Sequence, residues 1–165
     1  MSDVIRDEVV QALVAGEVFV FSRSIVGLAA ADTDYSSFTT GSQAVMVDRR
    51  SYATSASNLL VRLWEGVSGN AGGTANPGVN RNRTPAALLI PQPATCLGGI
   101  TPGALGTPVF SASFVDTNKV SGVFGDHEVD KIELAPNTTY VLGVTNNDAA
   151  AKDASWSFLM RRVSR

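Results

Sequence analysis

The chain has 165 residues, of which 44% are hydrophobic and 17% charged, with a formal net charge of −2. That length suits one domain able to bury its own core, and a pI near 5.3 offers no electrostatic footprint for nucleic acid. A single cysteine, Cys96, rules out an intrachain disulfide, and no apolar run approaches the ~20 residues that cross a bilayer.

Residues 3–15 have the pattern of a short amphipathic helix, with Ser2 or Asp3 as N-cap and Gly16 as the stop. Ile5, Val9, Ala12 and Leu13 share one face, while Asp7, Glu8 and Gln11 lie elsewhere. A helix this short is marginal alone in water, so it must dock on its own domain or on a neighbour. The N-terminus is acidic and lacks a basic segment followed by an apolar one, so no secretion signal is expected.

From residue 17 the pattern changes. Residues 17–28 (Val-Phe-Val-Phe, then Ile-Val) are rich in β-branched and aromatic side chains and predict a strand. Polar residues 31–37 predict a loop, and 44–47 a strand. Residues 59–65 alternate cleanly, with Leu59, Val61 and Leu63 on one face and Leu60, Arg62 and Trp64 on the other. Residues 66–83 have no apolar period and many backbone breakers, which predicts a long loop; 86–90 predict a short strand between Pro85 and Pro91. A second glycine-rich loop is expected over 95–107, followed by strands over 109–115, 129–134, 139–145 and 155–163. The last two are expected to form a terminal hairpin around an Asn-Asn-Asp tip.

About eight strands with no intervening helix predict an all-β protein, an antiparallel β-sandwich of jelly-roll type with a short N-terminal helix. The expected organisation is a helical arm over 1–16 and a sandwich domain over 17–165. No repeat with a period of 20–50 residues is visible.

Candidate chemistry is sparse. His127 sits in Asp126-His127-Glu128, where strand alternation would put the histidine opposite the two acids, so a solvated turn is the expectation. Asp32, Asp34 and Asp48 lack the spacing of a calcium loop. The glycine-rich run 70–78 lacks the Gly-Lys-Ser/Thr ending of a phosphate cradle. Neither a metal, a cofactor nor a catalytic pair is therefore expected. Trp64, Trp156, Phe158 and Tyr140 are expected in the core rather than on a sugar-binding platform. Arg81 and Arg83 share one side if their segment is extended, which suits an acidic partner. Arg161 and Arg162 offer a second basic pair at the C-terminus.

Several segments carry a resemblance: Leu63-Trp64-Glu65-Gly66, Asn80-Arg81-Asn82-Arg83, Cys96-Leu97-Gly98-Gly99, and Ala135-Pro136-Asn137-Thr138-Thr139-Tyr140 with Val144-Thr145-Asn146. Together they resemble the C-terminal part of small virion structural proteins of tailed bacteriophages. The resemblance implies a non-enzymatic β-sandwich made in the host cytoplasm and built into the virion, foremost as a decoration or cement protein on the head. Its expected partners are the major capsid protein or other virion proteins and copies of itself as a dimer or trimer, with neither nucleic acid nor membrane. Ile5, Val9, Leu13, Arg81, Arg83, Arg161 and Arg162 are the expected assembly contacts. The alternative is a carbohydrate-binding, adhesin-like module on a tail or fibre, using the segments 66–83 and 95–107.

Overall fold

Alternating side chains require each strand to have a wet face and a dry face, and two sheets packed on their dry faces meet that requirement. The computed structural model describes residues 2–115, 122–124 and 131–163, with side chains outside 2–7 and 122–124. Helix α1 (Ser2–Val14) precedes β1 (Val18–Leu28), β2 (Thr33–Thr40), β3 (Val45–Thr54), β4 (Asn58–Glu65), β5 (Ala71–Ala75) and β6 (Val79–Asn80). A 3-10 turn (Ala87–Leu89) leads to β7 (Ala94–Thr101), β8 (Thr107–Val115), β9 (Gly122–Phe124), β10 (Ile132–Leu134), β11 (Thr139–Asn146) and β12 (Lys152–Arg162). One sheet runs β10-β3-β12-β1-β6, with β9 also on β3; the other runs β5-β7-β2-β11-β4-β8. All pairings are antiparallel.

The first four strands change sheet at each step, and β11 and β12 do so again. Strands β1, β12, β3 and β10 therefore face β2, β11, β4 and β8, the arrangement of a jelly roll. The terminal hairpin is corrected by this: β11 pairs with β2 and β4 in one sheet, whereas β12 pairs with β1 and β3 in the other. The tip between them is an arch across the sandwich. Asn146, fully buried, holds that arch by donating to the carbonyls of Leu28, Ala29 and Ala150, while its oxygen accepts from the Asp148 N–H.

The core is aromatic where the sheets meet. The Phe38 ring of β2 stacks on Phe158 at 5.5 Å and meets Trp156 and Phe21 edge-on at 5.4 and 6.1 Å. The alternation expected over 59–65 is observed, with Leu59, Val61 and Leu63 at 1%, 0% and 2% exposure.

Four segments differ from the sequence expectation. Residues 33–40 form strand β2, because Ser36 and Ser37 are small enough to be buried among larger neighbours. The expected loop 66–83 contains β5 and β6, and the expected loop 95–107 contains β7 and the start of β8. Gly98 in β7 lies under Arg23, where a Cβ would come within 2.5 Å of the guanidinium. The expected strand at 86–90 is a helical turn beginning just after Pro85, and its backbone closes through Leu88 N–H to Thr84 O and Ile90 N–H to Ala87 O.

Trp156 is 2% exposed and touches two other rings of the core. Trp156→Ala is expected to cost about 3–5 kcal/mol in a urea titration. A second test concerns Asp148, which receives the Ser57 N–H at 2.8 Å and the Ser57 hydroxyl at 2.9 Å, and so joins the β3–β4 turn to the arch. Its carboxyl is held below the ordinary range, first by the Ser57 N–H, with the Ser57 hydroxyl and the Lys152 charge adding to it. A carboxylate whose folded pKa is depressed stabilises fully above its unfolded pKa of about 4 and loses that contribution as pH falls through the folded value. The stability gap between the wild type and Asp148→Asn should therefore be widest near pH 7 and shrink below about pH 4.

Candidate assembly surface

The surface around the C-terminal end of α1 is set by a helix stop and two asparagines. Gly16, at φ 76°, ends the helix with Gly16 N–H to Leu13 O and Glu17 N–H to Ala12 O, a Schellman closure. Gly16 abuts the 3-10 turn so closely that a Cβ there would sit 2.5 Å from that of Ala87. The buried Asn80 side chain donates to both Gly16 O and Ala87 O at 2.8 Å. Asn82 donates to Val14 O at 2.9 Å, and its oxygen accepts from the Thr84 N–H.

This explains the Asn-Arg-Asn-Arg spacing. Alternate asparagines turn inward and tie the arm to the 80–90 segment, so Arg81 and Arg83 turn outward and are exposed. Neither arginine has a side-chain partner among the described residues. Beside them Val14, Leu88 and Leu89 are 73%, 48% and 84% exposed, an apolar surface next to unpaired cations.

The other expected contacts lie differently. Val9 is half-buried, Leu13 is 38% exposed, and Ala12 is the buried residue of the helix face among the described side chains. Ile5 is in the helix, and its side chain lies outside those described. Arg161 and Arg162 are not free surface cations. Arg161 donates through Nε to Asp48 at 2.9 Å and through Nη2 to Glu8 at 3.2 Å, and Lys131 lies 3.3 Å from the same Asp48. Arg162 donates to Pro91 O at 2.7 Å. No local pattern reveals this, because Asp48, Glu8 and Pro91 are all distant from these arginines in the chain. Glu8, Gln11, Ala12, Met46, Arg161 and Val163 border a cleft of about 390 Å³ between the arm and the sheet.

Two of the segments that carry the resemblance, 63–66 and 135–140, meet in space. Glu65 and Tyr140 are cross-strand partners, and the Tyr140 hydroxyl donates to Glu65 at 2.6 Å while accepting the Ala135 N–H at 2.8 Å. Burial, then the bond to Glu65, pushes the Tyr140 pKa up to about 12. Asn137 takes a left-handed φ of 51° in the Pro-Asn turn that starts this strand. These residues set the geometry of a turn and a strand end.

Candidate chemical groups are occupied elsewhere. Asp34 holds Arg23 through two bonds of 2.9 and 3.0 Å, Asp32 caps the Thr33 N–H, and Asp48 binds Arg161. Among the described residues no three His, Cys, Asp or Glu side chains gather as a metal site; Asp126, His127 and Glu128 lie outside them. Cys96 is buried, and burial pushes its thiol up to about 12. Among the described residues no helix is long and apolar enough to cross a membrane. No protein-family model matches the chain, and no curated protein matches it in sequence.

Because the thiolate is the reactive form, Cys96 is expected to resist a maleimide at pH 7 in the folded protein and to react at once in urea. Fast labelling of the folded protein would show that the β7 end of the core is open.

Proposed function

We propose that the protein is a non-enzymatic structural component of a tailed-phage virion, a decoration protein that binds the exterior of the head and stabilises the shell. The observation that carries this reading is the paired outward turn of Arg81 and Arg83 beside exposed Val14, Leu88 and Leu89. Unpaired arginines flanking apolar side chains suit a protein partner with acidic and apolar groups, here the major capsid protein. The resemblance of the Asn-Arg-Asn-Arg and Pro-Asn-Thr-Thr-Tyr segments to virion proteins supplies the particle context. Binding of many copies, each weak, is enough to strengthen a shell when the copies act together.

The adhesin-like alternative has less in its favour. Trp156, Phe158 and Tyr140 are at most 2% exposed, so three of the four aromatics suited to a sugar platform face the core. The segments that would supply its binding loops contain β5, β6, most of β7 and the first residue of β8.

The test is cosedimentation of the purified protein with heads and with tails, each stripped of native copies. Saturable binding to heads alone is expected, and Arg81→Ala with Arg83→Ala should weaken it by on the order of tenfold or more while leaving the melting temperature unchanged. Removal of residues 1–15 should also weaken binding and leave the β-sheet circular dichroism signal in place. Binding to tails, or to host glycan and neither particle, would overturn the reading.

A further inference from the structure

Strand β8 ends its sheet: β4 pairs with one of its edges, and among the described residues no strand pairs with the other. Phe110 to Val115 run against Leu63 to Asn58 in unbroken register, so the free edge is straight there. The strand, Thr-Pro-Val-Phe-Ser-Ala-Ser-Phe-Val, contains no charge. Long apolar edges are normally blunted by lysine, an inward charge, shortness or a cover, because their unpaired N–H and C=O groups recruit another strand. The sandwich's other outer strands follow that rule. β6 has two residues and β10 three, and β5 is an Ala-Gly-Gly-Thr-Ala strand with little side chain to bury. β8 alone among them is nine residues long, with Val109 and Val115 at 40% and 64% exposure and Phe110 and Phe114 half-buried.

The order of residues along this edge identifies its partner. Val109-Phe110-Ser111-Ala112-Ser113-Phe114-Val115 reads the same in both directions about Ala112. Two antiparallel copies related by a two-fold axis through Ala112 pair Ser111 with Ser113, Phe110 with Phe114 and Val109 with Val115. Every cross-strand pair then joins identical side chains, as a self-complementary interface allows. Moving the axis to Ser111 or Ser113 pairs phenylalanine with alanine and valine with serine, so one register is favoured. The phenylalanines also lie on the right face. Phe114 packs on Tyr52 with ring centroids 5.5 Å apart, and Arg50 covers Phe110 at 4.3 Å. A second strand would lay its own Phe114 and Phe110 alongside these partly buried rings.

We infer that β8 is a dimerisation edge at which a second copy of this chain pairs in antiparallel register about Ala112, joining two six-stranded sheets into one continuous sheet. The inference rests on β8 and stands independently of any role in a virion. One strand per copy is a small interface, so weak, concentration-dependent dimers are expected.

The test uses the purified full-length protein without phage particles, with mass read by sedimentation velocity across a concentration series. The wild type should pass from monomer to dimer. Ser111→Lys with Ser113→Lys places lysine opposite lysine twice and should weaken the dimer by on the order of tenfold or more. Ser111→Lys with Ser113→Glu places lysine opposite glutamate in both pairs, and dimerisation should return. Because Ser111 and Ser113 are exposed, the fold should tolerate these changes, which circular dichroism checks. Amide hydrogen exchange of the wild type gives a second readout, with residues 110–114 expected to slow as concentration rises. A wild type that stays monomeric, a trimer, equal masses for the two variants, or exchange at β8 that ignores concentration would each overturn the inference.

Discussion

The packing of Phe38 against Phe21, Trp156 and Phe158 is the contact on which the rest of the structure depends. Phe38 belongs to one sheet and the other three rings to the facing sheet, so this cluster fixes the sandwich spacing and the alignment of β1, β2 and β12 at once. Those strands come from opposite ends of the chain. The core therefore closes only when residues more than a hundred positions apart have met, and such non-local closure costs loop entropy before any contact rewards it. The arch held by Asn146 is part of the same constraint, because it carries the chain from β11 to β12 on the opposite side.

Where the sequence alternates apolar and polar residues, the fold is legible from it. Leu59, Val61 and Leu63 declare a buried face, and so do the aromatics of β1 and β12. Legibility fails where burial is achieved by small residues. Ser36 and Ser37 look like loop residues, yet β2 lies between β7 and β11, and both serines are small enough to be buried there at 1% and 4% exposure. β7 looks like a loop because of Gly98 and Gly99, yet Gly98 is glycine because the Arg23 guanidinium lies across it on the way to Asp34. The all-β class and the sandwich were readable, whereas the sheet to which each strand belongs depends on pairings that no local pattern encodes. For that reason the last two strands resemble a hairpin in sequence and are not one in space.

The candidate surface was legible in part for the same reason. Alternation placed Arg81 and Arg83 on one side, and the structure adds why they are exposed: Asn80 and Asn82 are drawn inward by backbone carbonyls of the helix end and the 3-10 turn. Arg161 and Arg162 carry the same charge but are adjacent in strand β12, and their carboxylate and carbonyl partners lie far away in sequence. Charge alone does not separate a docking cation from one already committed.

The arm is held unequally along its length, and this bears on what it can do in an assembly. At its root, the Schellman closure and the Asn80 and Asn82 bonds join it to the 80–90 segment, and Asn80 is 5% exposed. Further out, its one described ion pair is Glu8 with Arg161, and Glu8 is 56% exposed, so water and salt screen that contact and it contributes little. Arg161 keeps its stronger partner in Asp48, whose side chain is 4% exposed, whether or not Glu8 is present. The sandwich therefore loses little if the outer turns of the helix exchange Glu8 for a neighbour's side chains. The root would meanwhile hold the arm beside Arg81 and Arg83, so that any partner reached by the helix is also reached by both arginines.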